Sequence, residues 1–260
     1  MDQLRNYAAP AVSWLLCSNV ANEHTRKAIQ SCCDQNFSEF ELIFVANGPN
    51  FQTVADQVRE WFSHDLRLKI IQTSMRHLNF SLNLGLNFAC APLIARMDAD
   101  DIAYPDRLSA QVEFMTKNPD VAVLGSAFDL IDSADMQMTS IEMPTENCAI
   151  RKAMIYRNPI CHPTVIFKRE VVMSAGGYLG GLYAEDYDLW VRLSNDSKIV
   201  FANLKRPLIG YRHLGAEARG AKLAYVTQAS SQFRQFLMGF QFVWLWATLC
   251  TVLKIVIKGK

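Results

Sequence analysis

The chain has 260 residues, half of them apolar and a fifth charged, with a formal net charge of +1. That length can bury roughly 75% of its unfolded surface, in one large α/β domain or two small ones sharing a core, without disulfide support. The near-neutral charge provides no broad basic field, which argues against nucleic acid as a partner. The seven cysteines are scattered without a CxxC pair. The opening "MDQLRNYAAPAVSWLLC" lacks the basic start and long apolar core of a signal peptide. The cysteines therefore read as reduced thiols of a cytosolic protein, with Cys32 and Cys33 serving helix packing.

In chain order, "AVSWLLC" (11–17) is a short apolar run and predicts a buried strand. "EHTRKAIQSCCDQ" (23–35) predicts a helix, "FELIFVAN" (40–47) a second strand and "NFQTVADQVREWF" (50–62) a second helix. "LRLKIIQ" (66–72), "NFSLNLGLNFA" (79–89) and "LIARMD" (93–98) follow as strand, helix and strand, with Asn79 or Ser81 near the start of that helix. This alternation predicts parallel βαβ units with helices on both faces. The second half is less regular. A helix is expected at 106–118, antiparallel strands at 121–132 and 137–143, and a helix at 147–158. A strand at 164–168, helices at 170–178 and 184–196, and short strands at 198–204 and 208–213 complete it. No repeat, low-complexity tract or linker appears, so the two halves are expected to share one core.

In open parallel sheets, ligands bind beyond the carboxyl ends of the strands. "CSN" (17–19), "NGPN" (47–50) and the acids Asp98, Asp100 and Asp101 all lie at such ends, so three strand ends can converge on one nucleotide crevice. Asp98 and Asp100 have two readings: a site for a divalent cation and a diphosphate, or a solvated acidic turn before the helix at 106. Asp101 and Asp106 fit the capping role. Glu185, Asp186 and Asp188 also have two readings. The helix dipole alone favours acids in a first turn. The preceding "GGYLGGLY" instead suggests a mobile loop that delivers a carboxylate as general base.

Four stretches go further: "ARMDADDIAYPDRLSAQVEFMTKNP" (95–119), "HPTVIFKREVVMSAGGY" (162–178), "AEDYDLWVRLS" (184–194) and the opening from 12 to 50. With these motifs at these separations, the chain resembles a family 2 glycosyltransferase of the inverting, bacterial surface-polysaccharide type. The resemblance implies a GT-A type α/β fold: a Rossmann-like, mostly parallel sheet flanked by helices, a small antiparallel acceptor-side sheet and C-terminal helices. Residues 1–215 would form one domain, with a nucleotide-binding half to about 105 and an acceptor-binding half from 106. Residues 216–260 would add helices.

The resemblance also implies roles. Ser18, Asn19, Asn47, Asp98 and Asp100 would bind a nucleotide-sugar donor, with UDP as the expected nucleotide. Asp100 and Asp98 would hold Mn²⁺ or Mg²⁺, with His213 as a further ligand. Asp186 would be the catalytic base, with Glu185 and His162 on the acceptor side and Asp188 in a capping role. The acceptor would be a glycan or lipid-linked sugar, and a homo-oligomer is left open. Three departures stand out. The first strand ends Cys17-Ser18-Asn19-Val20 where the family has P-T-Y-N. Ala46-Asn47-Gly48-Pro49 replaces "DDGS". His213 comes one position early for "YRxH". The Q-x-x-R-W motif of processive polymerases is absent, which favours transfer of a single sugar. Two rivals remain: a sugar-phosphate nucleotidyltransferase, and a catalytically silent nucleotide-sugar-binding protein.

Residues 240–257, "FQFVWLWATLCTVLKIVI", are apolar apart from Lys254 and a few polar side chains. Three placements are open for 239–260: in the cytoplasmic leaflet of the inner membrane as a peripheral helix, packed on the enzyme or a sister subunit, or spanning the bilayer.

Overall fold

The computed structural model describes residues 9–181, 183–213 and 221–258. Its first half is β1 (Val12–Ser18), α1 (Glu23–Cys33), β2 (Phe40–Asn47), α2 (Phe51–Phe62), β3 (Leu68–Thr73), α3 (Leu78–Phe88) and β4 (Leu93–Arg96). β1 pairs in parallel with β2 and β4, and β2 with β3, giving the order β3-β2-β1-β4. A parallel sheet covered on both faces reads as continuous apolar runs, and every residue of β2 is buried. The side chains still alternate. Val12, Trp14, Leu16, Phe40, Leu42 and Phe44 pack in one cluster with α1 and α2 residues, while Leu15, Ile43 and Val45 pack with Leu82 and Leu86 of α3. The strand order reverses between β1 and β4, which opens a crevice beyond their carboxyl ends.

The second half adds β5 (Ile102–Ala103), α4 (Arg107–Lys117), β6 (Val121–Ile131), β7 (Gln137–Ile141), α5 (Asn147–Met154), β8 (Ile166–Lys168), α6 (Arg169–Ser174), α7 (Glu185–Leu193), β9 (Val200–Arg212), α8 (Ala221–Gly239) and α9 (Phe242–Lys258). The same sheet continues as β4-β8-β6-β9-β5, with β7 on β6. β8 runs antiparallel to β4 and β6, β5 antiparallel to β9 and β7 antiparallel to β6, while β6 and β9 are parallel. The GT-A type architecture is therefore present, with one curled, mostly parallel sheet crossing both halves.

Three local outcomes differ from the sequence pattern. The two expected strands at 198–204 and 208–213 are one strand. Leu204 pairs with Ser126 and Pro207 with Ala127, so Lys205 and Arg206 form a bulge where the proline needs no ladder hydrogen bond. Ile102 and Ala103 lie outside the strands expected from the sequence, yet they pair with Gly210 and Ile209 and fasten the acidic segment to β9. The helix expected to 158 ends at Met154, which frees Asn158 for the site. All seven cysteines are free thiols, as their scattered spacing implies.

Candidate active site

Two clefts lie side by side at the crevice and share Leu78 and Tyr183 as walls. The smaller, about 500 Å³, is lined by Cys17, Ser18 and Asn19 after β1, Asn47 at the end of β2, and Arg76 and His77 before α3. The orientation of Asn47 follows from a chain of hydrogen bonds. The Ser81 hydroxyl donates to the His77 carbonyl at 3.0 Å, so towards Asn47 it can only accept. Asn47 Nδ2 fills that position at 3.0 Å, which leaves Oδ1 as its free acceptor. An acceptor replaces the acceptor that a carboxylate would provide. Asn19, with its amide oxygen turned to the guanidinium, accepts from Arg76 Nε at 3.0 Å and Nη2 at 3.3 Å. Gly48, at φ 82°, passes close to both, since a Cβ there would lie 3.4 Å from Asn19 and Arg76 carbons. The Ser18 hydroxyl is committed to a local turn, donating to Val20 O at 2.7 Å. Arg76 carried no motif. Its only sequence signal was a basic residue following the third strand of a nucleotide-type sheet.

The larger cleft, about 790 Å³, runs between the β4 end and α7. Arg96, Asp98, Asn158, His162, Glu185 and Asp186 form its polar wall, while Phe128, Leu130, Ile141, Met143 and Ile160 form an apolar one. Carboxylate oxygens of Asp98, Asp100 and Asp101 lie within 4.8 Å of one another. Burial, then the Asp98 charge, pushes the Asp100 carboxyl up to about 6 and Asp101 well above its ordinary value. Asp101 Oδ2 is buried without a partner. Crowded, desolvated carboxylates with an orphaned oxygen fit a hard divalent cation, as oxygen ligands do for Mn²⁺ or Mg²⁺.

Asp101 does not cap a helix. Its Oδ1 accepts the Arg212 backbone N–H at 2.8 Å, and Arg212 Nε donates to Asp100 O at 2.7 Å. Asp106 occupies the N-cap position of α4 without a side-chain capping bond, and its carboxylate pairs with Arg206 at 2.5 Å. His213 donates its backbone N–H to Ile131 O at 2.9 Å and is exposed. Its ring is not among the atoms that converge with the three aspartates. Two buried arginines inside the recognised motifs support the acids. Arg96 ion-pairs with Asp98, and Arg107 donates to Arg96 O at 2.7 Å while lying over the Trp14 ring.

In the same cleft as Asp98, α7 presents Glu185 and Asp186 in its first turn, both buried. Asp186 Oδ2 accepts from Asn158 Nδ2 at 2.5 Å, and burial raises the Asp186 carboxyl above its ordinary value. His162 sits in a short 3₁₀ turn with Nε2 3.0 Å from the Tyr178 hydroxyl and Nδ1 3.4 Å from Glu185 Oε1. Burial, then the Arg96 charge, lowers His162 to about 3, so the ring is neutral and the pair with Glu185 is not an ion pair. A carboxylate can only accept, so the contact with Glu185 fits the tautomer with the proton on Nδ1, for which Tyr178 donates to Nε2. Tyr178 and Asn158 are the orienting residues that the motifs did not single out.

The glycine-rich segment before α7 is fastened rather than free. Arg192 donates to Ala175 O and Gly177 O, each at 2.5 Å. Asn83 exchanges bonds with Tyr178 N and O, each at 2.9 Å, and Asn79 donates to Gly180 O and Gly181 O. The expected mobile loop is thus a pinned collar through residue 181. Asn79 serves this collar and Ser81 serves Asn47, so neither caps α3, whose N-cap is His77. Asp188 does not cap either. It ion-pairs with Arg192 and Arg234.

Comparison with known proteins agrees with this fold. A solved structure of S. aureus TarS residues 1–349 in complex with UDP-GlcNAc superposes with a TM-score of 0.68 over 86% of this chain and 66% of that chain, at 16% identity. A mannosyltransferase from Pyrobaculum calidifontis, in complex with GDP-Man and Mn²⁺, superposes with a TM-score of 0.61 over 97% of this chain and 76% of that chain, at 14% identity. At those identities the likeness establishes the fold. The O-antigen biosynthesis glycosyltransferase WbnJ of Escherichia coli is 34% identical over 227 residues, covering 87% of this chain and 89% of that protein. The family model "Glycosyl transferase family 2" matches residues 17–172, which include the crevice, the acid cluster and His162, and the chain belongs to that family.

Proposed function

We propose that the protein moves one sugar from a nucleotide-sugar donor to a hydroxyl of a glycan or lipid-linked acceptor in surface polysaccharide biosynthesis, with inversion at the anomeric carbon. The observation that carries this reading is that Asp98 and Asp186 line one cleft that opens, past Leu78 and Tyr183, into the crevice of Asn19, Asn47 and Arg76. The donor's sugar then lies between the acid cluster and α7. Asp98 and Asp100 would hold the cation. When bound, it would steady the charge on the departing nucleoside diphosphate.

Asp186 takes the proton of the acceptor hydroxyl while that oxygen forms its bond to the anomeric carbon and the bond to the diphosphate breaks. Attack from the α7 side, opposite the leaving group, converts an α-linked donor into a β-linked product. Glu185, oriented by neutral His162, binds the acceptor. The free Asn47 Oδ1 suits an N–H on a base edge. Uracil N3–H and guanine N1–H both provide one, whereas cytosine and adenine present an acceptor there. UDP is the nucleotide of this proposal.

The C-terminal residues extend the reading to the cytoplasmic face of the membrane. α9 is arranged inside out: Ala247, Thr248 and Thr251 are buried, while Phe242, Trp246, Leu249, Leu253, Val256 and Ile257 are exposed. No acidic residue follows Glu217. Such a face suits the interfacial layer of an anionic bilayer. Among the described residues, no helix is long and apolar enough to cross a membrane.

The test is turnover of a panel of nucleotide sugars with Mn²⁺, Mg²⁺ or EDTA. Activity with UDP-sugars that chelation abolishes and Mn²⁺ restores is expected. Full turnover in excess chelator would remove the cation from the mechanism. Nucleotide binding without donor hydrolysis or transfer would favour the silent binding protein.

A further inference from the structure

α7 carries the proposed base, yet its own start is weakly fixed. The residue before it, Ala184, sits at φ 57°, and no side chain caps the first turn. α8 supplies the restraint. Asp188, one turn from Glu185 and 1% exposed, accepts from Arg234 Nη2 at 2.5 Å and Ser231 Oγ at 3.1 Å through Oδ1. Its Oδ2 accepts from Arg192 Nε at 2.8 Å, and Arg192 is the residue that holds the collar. Burial alone would raise the Asp188 carboxyl, but the bonds from Arg192 and Arg234 outweigh it and hold it below the ordinary aspartate range.

One helical turn further on, Gln235 and Asn195 exchange amide bonds at 2.6 and 3.2 Å. α8 also grips the opposite side of the base. Gln232 donates to Ile155 O at 2.8 Å and Gln228 to Tyr156 O at 3.2 Å, on the segment that delivers Asn158 to Asp186.

We propose that α8 is a clamp on the catalytic base and that Arg234, acting through Asp188, is its principal positioning residue. The proposal rests on Asp186 being the base. Its physical content is that α7 and the 155–158 segment each bond to α8, so the 2.5 Å contact between Asp186 and Asn158 depends on both being seated against the same helix. A carboxylate displaced by about 1 Å from an acceptor hydroxyl loses on the order of 10²-fold in rate. Arg234 is 42% exposed at its side chain, so its removal leaves a space open to solvent rather than a closed cavity.

The experiment uses the full chain and compares Arg234→Ala, Arg234→Lys and Asp186→Asn. For Arg234→Ala, kcat should fall about tenfold or more, with UDP affinity and donor KM within about threefold of the parent. Ethylguanidinium in the assay should restore kcat of Arg234→Ala several-fold and leave Asp186→Asn unchanged. Arg234→Lys should be intermediate. Should Arg234→Ala not fold, Ser231→Ala together with Arg234→Lys gives the same comparison. A folded Arg234→Ala with kcat within twofold of the parent would overturn the clamp, as would a loss that follows the fall in Tm and is not restored by the guanidinium. A parent-like kcat for Asp186→Asn would instead overturn the base assignment on which the clamp rests, and that result is independent of Arg234.

Discussion

Replacing Asp186 with Asn tests the chemistry most directly. The change keeps size and shape at a position that is 8% exposed. Asn158 Nδ2 donates to this side chain at 2.5 Å, so a substituted amide would turn its oxygen to Asn158 and its NH₂ to the cleft. The group facing the acceptor hydroxyl would then be a donor, unable to take a proton. Loss of positioned general-base help is worth roughly 10²–10⁴ in kcat, or about 2.7–5.5 kcal/mol of transition-state stabilisation. The donor crevice is built from Asn19, Asn47 and Arg76, none of which touches Asp186, so UDP affinity should stay within about threefold. Steady-state UDP release and calorimetric UDP binding separate the two quantities. The pH profile adds a second reading. Burial raises the Asp186 carboxyl, so the base form is lost as pH falls through a value above the ordinary aspartate range, near 4. At saturating Mn²⁺ the acid limb of kcat/KM for the parent should therefore lie above pH 4, and the residual activity of Asp186→Asn should not show it. A kcat within threefold of the parent would refute the assignment and move it to Glu185.

Further outcomes follow from neighbouring groups. Asp100 is raised to about 6, so below that pH a cation must displace a proton, and Mn²⁺ affinity measured by calorimetry should weaken about tenfold per pH unit. Affinity that does not change between pH 5 and 7 would contradict this. Asn47→Asp keeps an acceptor and should hold UDP within a few fold. Asn47→Leu removes a hydrogen bond worth about 1 kcal/mol and should weaken UDP about fivefold while narrowing its preference over CDP. Equal UDP affinity for all three proteins would place the base elsewhere. Removing residues 240–260 spares α8 and should abolish sedimentation with anionic liposomes while leaving donor hydrolysis intact. A parent chain that ignores such liposomes and forms a dimer through α9 would assign that face to a second copy.

The local pattern of the chain determined much of this. Apolar runs such as "FELIFVAN" are strands because a sheet covered on both faces favours apolar side chains, its buried Glu41 and Asn47 being held by hydrogen bonds, and their alternation with helical spacing yields the parallel half. The acids of "MDADD" and "AEDYD" are legible because like charges in such density need a cation, a helix start or a proton to carry. Their convergence on one cleft was expected from resemblance, and sheet order and packing brought it about.

Other features were decided only in three dimensions. β5 is two residues long and becomes a strand because β9 offers it partners, and that pairing carries Arg212 to Asp100 and Asp101. Glycines before α7 predict a free loop, yet carbonyls of that loop meet donors from α3 and α7, and these part-buried hydrogen bonds outweigh the local freedom of glycine. Asp188 looks like a helix-dipole residue and is instead the joint between α7 and α8, because its partner Arg234 lies far along the chain. The orientation of Asn47 was set by Ser81 and His77, which no spacing connects to it. Local propensity and charge density can be read from neighbours in the chain. Register, hydrogen-bond direction and the pairing of buried ions depend on residues distant in sequence, and only the folded sheet and its helices bring those together.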